Sequence, residues 1–264
     1  MPELVATDLD GTLLHTDGTV TARTRAVLTA LEDRGVTVVF VTGRPLRWME
    51  PLWAHVGDHG LAVVSNGGIV YDVHARAVQM ARTIPPATVL EVGAVLRRAV
   101  PGTAFAIETT TGFAKEPHFM VRHPVPPGSP VAPLEEIVGP NPDTVKLLAR
   151  HEELDPEKFW AEVETHVGGL VTTTWSSTGA LVEISGAGVT KASTLAILCE
   201  QRGIAAEQVV AFGDMPNDLP MLRWAGTSYA MANAHPSVKE AAGRVAGSNE
   251  DDGVAAALEE LFGV

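Results

Sequence analysis

The chain has 264 residues, 45% of them hydrophobic and 19% charged, and a formal net charge of −13. Such a length and composition suit one large or two small globular domains with a sizeable core and exclude a disordered chain. The acidic balance argues against nucleic acid or an anionic membrane as partner, since both need a basic footprint, but a small anionic ligand needs only local positive charge.

The elements predicted first alternate strand and helix. "ELVAT" (3–7) is a short apolar strand, and "TARTRAVLTALEDRG" (21–35) is a helix with Val27, Leu28 and Leu31 on one face and Gly35 past its end. "VTVVFVT" (36–42) is a β-branched run of the kind buried on both faces of a parallel sheet. "RPLRWMEPLWAHVG" (44–57) reads as a helix that Pro51 should kink. "LAVVSNGGIVYD" (61–72) reads as two short strands joined at Asn66-Gly67-Gly68.

From about Arg82 to Gly186 the character changes, with prolines throughout. Helices are expected over "ATVLEVGAVLRRAV" (87–100) and "DPEKFWAEVETHV" (155–167), and strands over "TAFAIET", "TVKLLAR", "GLVTTTW" and "ALVEIS". The last two strands are close enough for a hairpin, which predicts an inserted α+β module with an antiparallel sheet. "HPVPPGSPVAP" reads as a surface loop. After it the first pattern resumes, with a helix over "TKASTLAILCEQRG", a strand over "QVVAFGD", a short helix over "NDLPMLRWAG", a strand over "TSYAM" and a closing helix over "DGVAAALEELF". The fold class expected is therefore α/β, a doubly wound parallel sheet with an inserted α+β module.

The single cysteine, Cys199, allows no intramolecular disulfide and sits in an apolar helical pattern, so it reads as a buried small hydrophobe. With no basic, apolar leader and no membrane-length apolar run, the expected location is the cytoplasm. No heptad repeat or exposed apolar stripe marks an oligomer interface.

Open parallel sheets bind ligands at the carboxyl ends of their strands. Asp8 and Asp10 follow the first strand, Thr42-Gly43-Arg44 the second, and Gly213-Asp214 ends "VVAF" with Asn217 and Asp218 just beyond; Lys191 opens a helix after the inserted module. Singly, each has a plainer reading: an Asx-capped turn, a strand-to-helix turn, a solvated helix start, a helix cap. His118 and His123 lack ligand-spaced companions, and Trp48 and Trp53 read as packing. Converging on one crevice, the carboxylates would need a hard divalent cation. Mg²⁺, with its preference for oxygen, suits Asp8, Asp214 and the backbone carbonyl of Asp10. A carboxylate nucleophile beside Mg²⁺ points to phosphoryl transfer through an aspartyl-phosphate, with Asp10 as acid and base and Thr42 and Lys191 on the phosphoryl oxygens.

These motifs resemble, in order and spacing, the haloacid dehalogenase superfamily. "DLDGT" (8–12), "VTGR" (41–44), Lys191 in "GVTKAS" and "GDMPNDLPML" (213–222) are similar to its four motifs; "SNGG" (65–68) and "MANAHPSVKEAA" (231–242) resemble its Cof-type, IIB branch. The resemblance implies a discontinuous core over 1–81 and 187–264 and a C2B cap over 82–186 that closes over the crevice and reads the leaving group. It implies Asp8 as nucleophile, Asp10 as acid/base, and Thr42, Gly43, Lys191 and Asn217 on phosphate. It places Asp8, Asp10 and Asp214 on Mg²⁺, with Asp218, Arg44 and Asn66 in support. Relatives that keep the phosphoenzyme carry Thr where this chain has Asp10, so rapid hydrolysis is implied. The expected activity is a Mg²⁺-dependent phosphatase for a small phosphorylated metabolite, sugar phosphates first and nucleotide or cofactor phosphates next. A sugar phosphomutase and a non-catalytic phosphate-binding module are the alternatives. In the cap, Glu108, Lys115, His118 and Trp175 are candidates to face substrate.

Overall fold

The computed structural model describes residues 2–56, 60–139, 143–175 and 179–264. Two units divide it, Met1–Met80 with Lys191–Val264 and Ala81–Thr190.

Chain order explains the first unit. β1 (Leu4–Thr7) is buried at every residue. α1 (Ala22–Asp33) starts at Thr21, whose side chain accepts from the Thr24 N–H, and buries Thr24, Val27, Leu28 and Leu31 as one stripe. β2 (Thr37–Val41) is followed by a 3₁₀ turn and α2 (Glu50–Val56). Pro51 thus lies in the first turn of a separate helix, where its missing N–H costs nothing, instead of kinking a longer one. β3 (Leu61–Val64) and β4 (Ile69–Asp72) pair antiparallel through Ser65–Gly67, and the exposed β5 (Ala77–Ala81), which the sequence pattern did not reveal, forms the sheet edge.

The second unit holds α3 (Pro86–Ala99), β6 (Ala104–Thr109), β7 (Phe113–Lys115), α4 (Leu134–Val138), β8 (Thr144–Arg150), α5 (Pro156–Val167), β9 (Thr172–Thr174) and β10 (Leu181–Ser185). Its strands run in the order β7-β6-β8-β10-β9, antiparallel at every junction. β9 and β10 pair as a hairpin would; the middle of the turn expected between them lies outside the described residues. Phe105, Ile107, Leu147, Ala149, Val182 and Ile184 meet Val89, Val92 and Leu96 of α3 and Phe159, Val163 and Val167 of α5 in one core. The opposite face of β8 carries a fully buried ion pair partner, Lys146, 3.1 Å from Glu183.

The chain then adds α6 (Lys191–Arg202), β11 (Val209–Gly213), α7 (Leu219–Trp224), β12 (Thr227–Ala230), α8 (Pro236–Ala241), β13 (Arg244–Val245) and α9 (Gly253–Phe262) to the first unit. Its sheet runs β13-β12-β11-β1-β2-β3-β4-β5, parallel from β13 through β3. From β1 the chain winds outward through β2, then returns to β11 on the other side. That reversal opens a crevice at the carboxyl end of β1. No helix among the described residues is long and apolar enough to cross a membrane.

Phe159 is fully buried under the second unit's sheet. Phe159→Ala is expected to cost about 3–5 kcal/mol and lower the unfolding midpoint in a denaturant titration; an unchanged midpoint would contradict the packing described.

Candidate active site

β1, β2 and β11 lie side by side, so the residues that leave their carboxyl ends share one crevice. Asp8 leaves β1, and its backbone N–H donates to the Phe212 carbonyl at 3.1 Å. Asp214 leaves β11. Lys191, the first residue of α6, reaches between them: its ammonium lies 2.7 Å from Asp8 Oδ1 and 2.7 Å from Asp218 Oδ1. All four side chains are buried. Asp218 is further fixed because its Oδ2 accepts from the backbone N–H groups of Asp214 and Met215, each at 3.1 Å.

Two glycines make this closeness possible. Gly11 has φ of +71°, and a Cβ there would sit 2.4 Å from Asp214 Oδ2. A Cβ on Gly213 would sit 2.6 Å from the Cβ of Asp218. Thr12, next to Gly11, donates its hydroxyl to Asp214 Oδ1 at 3.0 Å. Downstream, the His235 N–H donates to the Asp214 carbonyl at 2.8 Å and the Asn233 amide to the Gly11 carbonyl at 2.7 Å, tying residues 231–235 to both loops. Nothing in the sequence pattern gives Thr12, Asn233 or His235 a role of its own. Their signal was only that they fall inside the quoted motifs.

The electrostatics follow from crowding. Burial pushes Asp8 well above the usual carboxylate range, Lys191 pulls it back, and Asp218 and Asp214 push it further up. Burial likewise raises Asp214 to about 6, with Asp218 adding to the rise and the Thr12 hydroxyl opposing it. Burial works against the Lys191 charge, but Asp218 and Asp8 outweigh it and hold the ammonium above its usual pKa.

Asp8, Asp214 and Asp218 can each bring one oxygen within 4.8 Å of the others, the one group of potential metal-ligating side chains among the described residues. Three buried carboxylates against one ammonium leave an excess of negative charge, and every donor is a hard oxygen, so the set suits a divalent cation such as Mg²⁺. Asp218 already has both oxygens engaged by Lys191 and by backbone N–H groups, which leaves Asp8 and Asp214 as the side chains able to hold it.

Asp10 is not in that cluster. Its side chain is 57% exposed, and both its oxygens accept from Arg44, Nε to Oδ2 at 2.7 Å and Nη2 to Oδ1 at 2.5 Å. Thr42 is buried at the end of β2, and its hydroxyl oxygen accepts from the Arg44 backbone N–H at 3.1 Å. Gly43 lets Asn66 approach: a Cβ there would lie 2.9 Å from Asn66 Oδ1. Asn66 is buried with φ of +55°, so "SNGG" is a strained loop at the crevice and not a plain hairpin turn. Asn217 donates to Asn66 Oδ1 at 3.5 Å, and its own Oδ1 is buried without a partner.

Among the candidates in the second unit, Glu108 is buried on β6 and His118 is exposed. Lys115 donates to the Glu116 and Phe119 carbonyls, so its ammonium serves the local fold. The indole N–H of Trp175 is buried and unpaired.

A profile described as haloacid dehalogenase-like hydrolase matches residues 5–258. The 5-amino-6-(5-phospho-D-ribitylamino)uracil phosphatase YitU of Bacillus subtilis is 28% identical over 99% of this chain and 98% of its own. The pyridoxal phosphate phosphatase YbhA of Escherichia coli is 30% identical over 96% of each. Among solved structures, a haloacid dehalogenase-like hydrolase from Bacteroides thetaiotaomicron superposes with a TM-score of 0.78 at 24% identity, over 99% of this chain and all of that one, which establishes the shared fold. The chain belongs to the haloacid dehalogenase-like hydrolase family and is an enzyme of the phosphatase type.

Proposed function

We propose that the enzyme hydrolyses a small phosphomonoester in the cytoplasm, with Mg²⁺ and through a phosphoryl group carried on Asp8. The observation that carries this reading is the buried Asp8–Lys191–Asp218 bridge beside Asp214. Lys191 engages only Oδ1 of Asp8. The carboxylate of Asp8, held at that one oxygen, attacks phosphorus while Lys191 and the Thr42 hydroxyl meet the phosphoryl oxygens. As the bond from phosphorus to the leaving oxygen breaks, Asp10 gives that oxygen a proton. In the second half, Asp10 takes a proton from water, which attacks phosphorus and releases Asp8 and inorganic phosphate. Mg²⁺, held by Asp8, Asp214 and the Asp10 carbonyl, would keep Asp8 ionised despite its burial and offset the charge of the phosphoryl group.

Residues 1–81 and 187–264 form the catalytic core in this reading, and 82–186 the inserted cap module. Sugar phosphates remain the first substrate class, and the esters in the names of the two relatives above, 5-amino-6-(5-phospho-D-ribitylamino)uracil and pyridoxal phosphate, come up beside them; nucleotide and other cofactor phosphates come next.

Phosphate release from a panel of these esters is expected to need added Mg²⁺ and to stop with chelator. Asp8→Asn should leave none above background, and Asp10→Asn should lose about 10²–10⁴-fold in kcat on alkyl esters. An isomerised phosphoester as product would instead indicate a mutase, and no turnover by folded, Mg²⁺-binding protein would contradict the reading.

Thr12→Val removes the hydroxyl that orients Asp214. It should raise the Mg²⁺ concentration for half-maximal activity about 10–100-fold while saturating Mg²⁺ restores kcat. An unchanged Mg²⁺ requirement would remove Asp214 from the metal site.

A further inference from the structure

Asp8, Asp214 and Asp218 are buried, and each is held by its own set of partners. Asp10 is different: more than half of its side chain is exposed, yet a proton donor must hold its oxygen within hydrogen-bond reach of the leaving group. Asp10 lies on the β1 loop, and the side chain that fixes it comes from the β2 loop, 34 residues away. Arg44 presents Nε and Nη2 together to the two carboxylate oxygens. Such a planar two-pronged contact sets the plane of the carboxylate as well as its distance, which a single hydrogen bond does not.

Arg44 can act as a fixed post because its own backbone is fixed. Its N–H donates to the Thr42 hydroxyl at 3.1 Å, and its carbonyl accepts from the Ser65 N–H at 2.9 Å. The next residue of that strained loop, Asn66, donates its N–H to the Thr42 carbonyl at 3.1 Å. The Arg44 side chain is 24% exposed, less than half the exposure of its partner, so the arginine is the anchored member of the pair and the aspartate the one being placed.

We propose that Arg44 is the positioning residue for Asp10, orienting its carboxylate for proton transfer to the leaving oxygen and from water. The inference rests on the acid/base role given to Asp10 above. It differs from a phosphoryl-binding role for the Arg44 guanidinium, whose Nε and Nη2 are engaged by Asp10. No bond to phosphorus is made or broken at Arg44; its effect reaches the reaction only through Asp10.

Two esters of the same phosphoryl group separate these roles. An alkyl monoester has a leaving oxygen that needs a proton. Dinitrophenyl phosphate departs as a stable anion, and its first-turnover burst reports bond breaking without proton donation. Wild type, Arg44→Lys, Arg44→Gln, Asp10→Asn and the Arg44→Gln/Asp10→Asn double variant are compared with saturating Mg²⁺, each checked for wild-type thermal unfolding.

The expected result is that Arg44→Gln lowers kcat on the alkyl ester by about 10²-fold with KM unchanged, and leaves the dinitrophenolate burst rate as in wild type. Arg44→Lys, which keeps the charge but not the fork, should recover only part of the loss. In the Asp10→Asn background the Arg44 substitution should add nothing.

Equal slowing of both esters by Arg44→Gln, a raised KM with kcat intact, or full rescue by Lys would overturn the inference and leave the acid/base role of Asp10 standing. If Asp10→Asn itself slowed both esters alike, the acid/base reading would fall and take this inference with it.

Discussion

One buried ammonium holds the site together. Lys191 and its partners Asp8 and Asp218 have side-chain exposures of 2%, 8% and 0%. At such depth an ion pair is not a surface ornament, since a charge stripped of both water and partner is costly; breaking a buried pair by removing one member costs about 3–5 kcal/mol. Lys191 is 183 residues from Asp8 and 27 from Asp218, so the contact closes the first and last thirds of the chain on each other. The same cation that makes the cluster tolerable also points at the oxygen-rich crevice where a phosphoryl group would sit.

Lys191 does not neutralise the cluster fully. Asp214 stays adjacent, raised to about 6 by burial and by Asp218, and Gly11 and Gly213 allow the loops to approach too closely for any side chain at either position. Glycines that bring carboxylates together, with Thr12 aimed at one of them, would suit a bound cation better than they suit the fold's own stability. Asp10 and Arg44 stand beside this arrangement, the aspartate more than half exposed and the arginine reaching it from the β2 loop. That difference suits the division of labour proposed above: buried groups would hold charge, and an exposed, clamped carboxylate would move protons.

Much of this was legible in the sequence because the strands that carry the site are buried on both faces. β-Branched runs such as 37–41, and the strand 144–150 in the second unit, announce themselves over their whole length. The residues that follow them are placed by the parallel order of the sheet. Less legible were short or edge elements. β5 is exposed at nearly every position and has no apolar alternation to read, while β7 and α4 are three and five residues long, too short for a period to show. Pro51 looked like a kink because the break before it, at the 3₁₀ turn, has no residue that marks it. The contacts that organise the site were invisible for a different reason. Arg44 on Asp10, Thr12 on Asp214 and Lys191 on Asp8 are pairs made by topology, and nothing local to either partner names the other.

The proposed mechanism turns on Asp8 forming a bond to phosphorus. The most direct measurement is to quench a hydrolysed phosphomonoester reaction with acid during steady turnover and map phosphorylated peptides by tandem mass spectrometry. The expected result is a phosphoryl group on Asp8, present only with substrate and Mg²⁺ and absent from Asp8→Asn. Phosphate release with Asp8 unmodified, or with the phosphoryl group on another residue, would contradict it.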